Sequence, residues 1–229
     1  MPKTLLAIGA HYDDCVFGVP GILLQAVAKH YRVVIVSLIG DYTNWPPIGD
    51  RHEQLLSGTQ EISRLFGVEM RYLKFKSHRF DVNDDSKRAL AEAIADLQPD
   101  VGLMLWRHDH HDDHVVASQL SGIVLRHAAT YVEGSKYRAP RRIYLYDNGP
   151  RHTIGFEPDT FVDVGDVWPR AVEWLGRFMA LVRGEAYDPS KPDGAVDTKE
   201  ALALYRGKTC GVKYCEALRS MNAEPREIL

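Results

Sequence analysis

Four histidines, His108, His110, His111 and His114, fall within seven consecutive positions of this sequence, interleaved with Asp109, Asp112 and Asp113. A second polar group, His11-Tyr12-Asp13-Asp14, ends an otherwise apolar N-terminal run. Imidazoles mixed with carboxylates suit a divalent metal. Two ligands from one tight turn and a third from elsewhere make an open three-ligand site in which water completes the coordination, the arrangement of catalytic zinc. Zinc lowers the pKa of its bound water to about 7, and an adjacent carboxylate that is not a ligand can then act as general base. His11 and the acids of its turn, with His114 as the third ligand, compose such a set. His111, one turn earlier, can face the metal without binding it and stabilise an oxyanion or protonate a leaving amine. Asp113 can orient a histidine through its second ring nitrogen. Other readings stay open at this point. Asp13 and Asp14 also suit the start of a helix, residues 108–114 can form a solvated loop, and His110 with His114 has the i, i+4 spacing of a helical zinc pair.

The elements that must position these residues alternate. Thr4–Ala10 is a short apolar run and reads as a buried strand, Phe17–Lys29 as a helix, and the β-branched Arg32–Leu38 as a second strand. Arg51–Phe66 is amphipathic and closed by Gly67, followed by a strand at Met70–Phe75, a helix at Ser86–Leu97 and a strand at Val101–Trp106 that runs into the histidine cluster. A helix at Asp113–His127 and a strand at Arg142–Tyr146 come next, then a short strand at Thr160–Val164, a helix around Asp166–Val182, a loop at Ala186–Asp197 that reads as a lid or a surface loop, and terminal helices. This pattern predicts an α/β fold: a Rossmann-like, doubly wound, mostly parallel sheet with helices on both faces. The polar clusters His11–Asp14, Gly40–Asp50 and His108–His114 all follow strands, and ligands of such sheets bind beyond the carboxyl ends of the strands. One domain over residues 1–229 is expected, with a core at about 3–165 and a helical C-terminal extension at about 166–229.

The 229 residues carry 28 Lys and Arg against 31 Asp and Glu, for a net charge of −3, which argues against a nucleic-acid partner. No apolar stretch approaches the roughly 18 residues of a membrane span. Three cysteines without zinc-type spacing, Cys15, Cys210 and Cys215, suit a reduced cytoplasmic protein. The first strand leads into Gly9-Ala10-His11 and not into a dinucleotide-binding G-x-G-x-x-G turn.

Together the motifs resemble those of the PIG-L/LmbE-like zinc-dependent de-N-acetylases. The family's Ala-His-Pro-Asp-Asp-Glu stands here as Ala10-His11-Tyr12-Asp13-Asp14-Cys15, and its His-Pro-Asp-His as His111-Asp112-Asp113-His114. An Arg-x-Glu opening a helix matches Arg51-His52-Glu53. The resemblance covers residues 3–130 well, and Phe156–Val164 and the expected Lys199–Ala217 helices more loosely. It implies that His11, Asp14 and His114 bind zinc, that Asp13 is the general base, that Asp113 pairs with a histidine, and that His111 stabilises the tetrahedral intermediate or serves as the acid. It implies that Arg51 binds a hydroxyl- or phosphate-bearing substrate; an arginine paired to Glu53 or Asp50 is the structural alternative. Tyr12 and Cys15 depart from the family pattern. Cys15 reads as a buried helix residue, a soft ligand, or a change that reshapes the site. In the loop Gly40–Asp50, Tyr42 and Trp45 can stack on a sugar face and Asp41 and Asn44 can bond hydroxyls, or the segment is a proline-rich turn. Asn148–Arg151 with His152 is another polar loop that can line the pocket.

The resulting expectation is a zinc hydrolase, with Fe²⁺ or Co²⁺ as alternative metals, that removes an N-acetyl group from a small amino sugar or glycoconjugate. Family members often assemble into symmetric homo-oligomers. The rivals are a metal-containing carbohydrate- or effector-binding protein that has lost catalysis, and a Mg²⁺-dependent phosphohydrolase built on the paired acids.

Overall fold

The computed structural model describes residues 2–43 and 45–223, so Asn44 lies outside the described residues. The elements run β1 (Thr4–Gly9), α1 (Asp14–Gly18), α2 (Pro20–Ala28), β2 (Arg32–Asp41), α3 (His52–Leu65), β3 (Val68–Lys76), α4 (Asp84–Ile94), β4 (Val101–Leu105), α5 (Asp112–Tyr131), β5 (Arg142–Tyr146), β6 (Thr160–Asp163), α6 (Trp168–Arg183), α7 (Gly194–Cys210) and β7 (Cys215–Ser220). The strands form one sheet in the order β3-β2-β1-β4-β5-β7-β6. The first five are parallel, and β7 runs antiparallel to both β5 and β6. Every residue of β1 is buried, as a central strand covered on both faces requires. From β1 the chain steps outward to β2 and β3, then returns to β4 and steps the other way to β5. Right-handed crossovers therefore put α1–α3 on one face and α4 with α5 on the other. The contacts agree: α2 and α3 pack on α6, and α4 packs on α5.

Two sequence expectations need correction. The single helix expected over Phe17–Lys29 is two, broken at Val19 (φ −140°, ψ 36°), because the residue before Pro20 is pushed out of the helical region. The terminal segment expected to be all helical holds one helix, α7, which ends at Cys210 with Gly211 as its cap, and then a strand. That strand, β7, is inserted between β5 and β6, so the C-terminal extension supplies part of the sheet.

Candidate metal centre

The carboxyl ends of the parallel strands lie along one edge. Register pairs Ile8 with Met104 and Leu105 with Tyr146, so the chain leaves β1, β4 and β5 at one level. The junction of β1 and β4 is also where the winding direction reverses, the place where ligands settle in such sheets. Gly9 makes the first turn feasible: a Cβ there would lie 2.8 Å from Asp14 Cβ, so no other residue lets the chain fold back so closely. Asp14 closes this turn with its own side chain, Oδ2 accepting the backbone N–H groups of Ala10 (2.7 Å) and His11 (2.8 Å). Its Oδ1 accepts from Asn148 Nδ2 (2.7 Å), at the end of β5. Asp14 thus stands in the first turn of α1, but neither it nor Asp13, the N-cap residue, caps the helix with its side chain, and Asp14 presents its carboxylate to the site.

Donor groups of three residues converge there. His114 Nε2 stands 3.1 Å from Asp14 Oδ1 and 3.1 Å from His11 Nδ1, and His11 Nδ1 lies 3.6 Å from Asp14 Oδ2. A tetrahedral zinc with bonds near 2.0–2.1 Å separates adjacent ligand atoms by about 3.3 Å. The triangle of the two imidazole nitrogens and the Asp14 carboxylate, whose Oδ1 faces His114 and Oδ2 faces His11, therefore has spacings near those of such a site. The outer nitrogens are fixed in turn. His11 Nε2 donates to Asp113 Oδ2 (3.2 Å) and His114 Nδ1 to Asp109 Oδ2 (3.0 Å), which leaves the lone pairs of the two inner nitrogens facing one another. Two lone pairs at this distance repel unless a cation lies between them. Asp113 is itself held by Ser77 Oγ (2.6 Å) and the His78 N–H (2.8 Å). The donor chemistry and the spacing both fit a nitrogen- and oxygen-preferring ion such as zinc better than magnesium.

The electrostatics describe a site that wants positive charge. Burial opposes protonation of His11, but Asp113 and Asp14 outweigh it and hold the ring up at about 9; His114, likewise opposed by burial, is held at about 10 by Asp14 and Asp109. Asp14 is kept well below the carboxylate range despite burial, by His114 and His11. Without an ion, protons take its place, so metal uptake releases protons and affinity should rise with pH. Asp13 differs: enclosure and the neighbouring Asp14 carboxylate push it up. His111 goes the other way, down to about 4, through burial and the nearby His11 and His114. As N-cap of α5, its Nδ1 accepts the Asp113 N–H (3.2 Å), which places the ring proton on Nε2.

These groups open into a cavity of about 750 Å³ whose walls include His11, Asp13, Asp14, His111 and His114. Trp45 lines it half-buried, beside Tyr42 and Tyr12 at ring distances of 5.6 and 6.0 Å. Tyr42 reaches the wall too, but it is 5% exposed and its hydroxyl accepts the Tyr12 N–H (2.9 Å), so it shapes the wall and offers little free surface. Arg51 has another task than the one expected. Its guanidinium donates to Leu181 O (3.2 Å) and Val182 O (2.9 Å), capping the end of α6, and it is not among the residues that line the cavity. The cations that do line it are Lys76, at the end of β3, and Arg151, after β5. His110 is exposed and pairs through its backbone with His152, so it does not join His114 as an i, i+4 pair. Cys15 is buried with its thiol 3.3 Å from the Tyr146 hydroxyl, and burial pushes its pKa up; it is a packing residue, not a ligand.

Sequence reasoning gave no role to Asp109, Ser77 or His78, and placed Asn148 only in a loop that lines the pocket, as it does, without its bond to Asp14. The available signal was position, since each follows a strand end on the carboxyl edge. Replacing Asp109 with Ala should weaken metal affinity by about 10- to 100-fold without abolishing it, as measured by competition with a chromogenic chelator; an unchanged affinity would show that His114 needs no outer partner.

The 4-oxalmesaconate hydratase of Pseudomonas putida is 21% identical over 184 residues, spanning 73% of this chain and 70% of its own. A crystal structure of a 4-carboxy-2-hydroxymuconate hydratase from Pseudomonas putida superposes with a TM-score of 0.80 at 18% identity, covering 99% of both chains. The N,N'-diacetylchitobiose deacetylase of Pyrococcus horikoshii superposes with a TM-score of 0.75 at 20% identity, covering 96% of this chain and 84% of its own. At such identities these two structures show the fold. The model of the family described as PIG-L, GlcNAc-PI de-N-acetylase, matches residues 6–124, just over half of the chain and the part that carries every donor atom of the centre. The chain belongs to the PIG-L de-N-acetylase family.

Proposed function

We propose that this protein is a zinc-dependent N-deacetylase that hydrolyses the acetamide of an amino sugar or glycoconjugate. The observation that carries the reading is the triangle of His11 Nδ1, Asp14 and His114 Nε2, bordered by two carboxyl or imidazole groups of opposite character, Asp13 and His111. When bound, zinc supplies Lewis acidity and makes water acidic enough to deprotonate near neutral pH. Asp13, raised toward the working range of a base, takes the proton of the attacking water. His111 stays neutral and donates its Nε2–H to the oxygen that becomes negative as the carbonyl turns tetrahedral. Asp13 then delivers its proton to the departing nitrogen, so that water and the acetamide become acetate and an amine. Trp45 offers an apolar face to a sugar ring. Three free cysteines and the absence, among the described residues, of any helix long and apolar enough to cross a membrane support a cytoplasmic enzyme.

A second reading has an observation of its own. Lys76 and Arg151 reach the cavity from strands on opposite sides of the centre, where they suit a substrate with acidic groups, and the same base and metal would serve addition of water to a carbon–carbon double bond. The experiment is a metal analysis of gently purified protein followed by two assays: amine release from N-acetylated glucosamine conjugates, and loss of ultraviolet absorbance from conjugated unsaturated dicarboxylic acids. Amine release that a chelator stops and zinc restores is the expected result. Absorbance loss without amine release would overturn deacetylation in favour of hydration.

A further inference from the structure

Two non-glycine residues among those described adopt positive φ, His30 (60°) and His78 (58°). His30 ends the turn after α2, its N–H bonded to Val27 O, an ordinary helix exit. His78 is the third residue of the turn Lys76–Arg79, closed by the Arg79 N–H on Lys76 O (3.0 Å), and unlike His30 it also faces the site. It lies between β3 and α4, exposed on the cavity wall, in a conformation that glycine or asparagine adopts at less cost. Strain of this kind persists at functional sites where the surroundings over-determine it. Here the surroundings are identifiable. The His78 N–H is tied to Asp113 Oδ1 (2.8 Å), and the imidazole lies flat over His111, with ring centroids 5.1 Å apart and planes 5° from parallel. His111 is also stacked with the His114 ring at 4.9 Å and 19°, with His11 edge-on at 4.7 Å. His111 therefore has two near-parallel imidazole neighbours while its Nδ1 is occupied by the Asp113 N–H. Without His78 that ring loses its stacking partner from the β3–α4 turn, leaving the Asp113 N–H bond and the two ligand imidazoles to orient it.

We propose that His78 is a positioning residue, held in a strained backbone so that its ring clamps His111 with Nε2–H as the fixed donor. The turnover readout rests on the hydrolase reading above; the spectroscopic readout does not. The test uses zinc-loaded protein labelled with ¹⁵N-histidine, in which His111 is assigned by the loss of its signals in His111→Gln. In His78→Gly the backbone keeps its conformation and its bond to Asp113, and only the ring is lost. That variant should hold as much zinc as wild type and melt no lower, because glycine relieves the strain. Its His111 signals should lose the single Nε2–H pattern and move to tautomer-averaged positions. With an active substrate, kcat should fall at least about tenfold with KM within about twofold. His78→Phe, which restores a flat ring, should recover the His111 pattern and most of kcat. An unchanged His111 pattern in His78→Gly overturns the proposal whether or not any substrate is found. A folded His78→Phe that recovers nothing also overturns it, by requiring the imidazole nitrogens. Reduced zinc in His78→Gly would shift the effect onto Asp113 and His11, and would overturn it as well.

Discussion

Asp13→Asn retains the metal and loses between about 10²- and 10⁴-fold in turnover, whereas His114→Ala loses the metal itself. The contrast follows from what each side chain touches. His114 Nε2 is one corner of the donor triangle, 3.1 Å from both other corners, and its Nδ1 is committed to Asp109, so no rearrangement of the buried ring replaces it. Asp13 belongs to no corner of the triangle; it lines the cavity beside it. Asparagine has nearly the same shape and cannot accept a proton at neutral pH. Stability supplies an independent check. Enclosure and Asp14 raise the Asp13 carboxyl above its ordinary value of 3.8, so the native state binds that proton more tightly than the unfolded chain does. As pH climbs past 3.8 the unfolded chain ionises first, and the acid then costs the fold stability up to its raised native pKa. Chelated Asp13→Asn should therefore match chelated wild type at low pH and be the more stable of the two near neutrality. Metal content by elemental analysis, single-turnover rates and thermal melts at the two pH values decide it. An active Asp13→Asn removes the base assignment; a metal-bearing His114→Ala removes the site.

How much of this was legible in the sequence depended on how local each signal is. Buried parallel strands announce themselves, because short apolar runs such as TLLAIG or the β-branched RVVIVSL, bounded by polar residues, suit a strand covered on both faces. The donor residues were legible for the same reason: His11 to Asp14 and His111 to His114 each lie within a few residues of a strand end. Roles that depend on a distant partner were not legible. Arg51 reads as a substrate arginine until α6 delivers the carbonyls of Leu181 and Val182 to it from 130 residues away. Asn148 gains its task only when β5 lies beside β4 and brings it to Asp14. Cys215–Ser220, with Glu216 and Arg219 in six residues, has no strand-like apolar run, and its place is set by β5 and β6 on either side. Burial makes Glu216 look anomalous in a strand, and its partner explains it.

That partner is the second large expectation: Lys199→Met destabilises the protein by about 3–5 kcal/mol, which for a chain of this size lowers Tm by on the order of 10 °C. Lys199 Nζ lies 2.9 Å from Glu216 Oε1, with the two side chains 3% and 1% exposed. Both members also have backbone partners. Lys199 also donates to Gly18 O (2.8 Å), and Glu216 accepts the N–H groups of Gly21 (3.0 Å) and Ile22 (2.8 Å) at the start of α2. Methionine keeps the length of the lysine stem and leaves an uncompensated carboxylate in the interior, along with an orphaned carbonyl at the end of α1. The damage should be partly reversed in Lys199→Met/Glu216→Gln, because the amide still accepts from the start of α2 and carries no charge. A coupling of well over 1 kcal/mol in that cycle is expected, from denaturant melts with unchanged m-values. A single substitution costing less than about 1 kcal/mol would show that water reaches the pair. The pair joins α7 and β7 to the segment that begins at Asp14, so the late-added strand and helix hold one wall of the metal centre in place. Lys199→Met should accordingly loosen metal binding as well as the fold, while Glu216→Gln, which keeps its acceptor, should loosen it less.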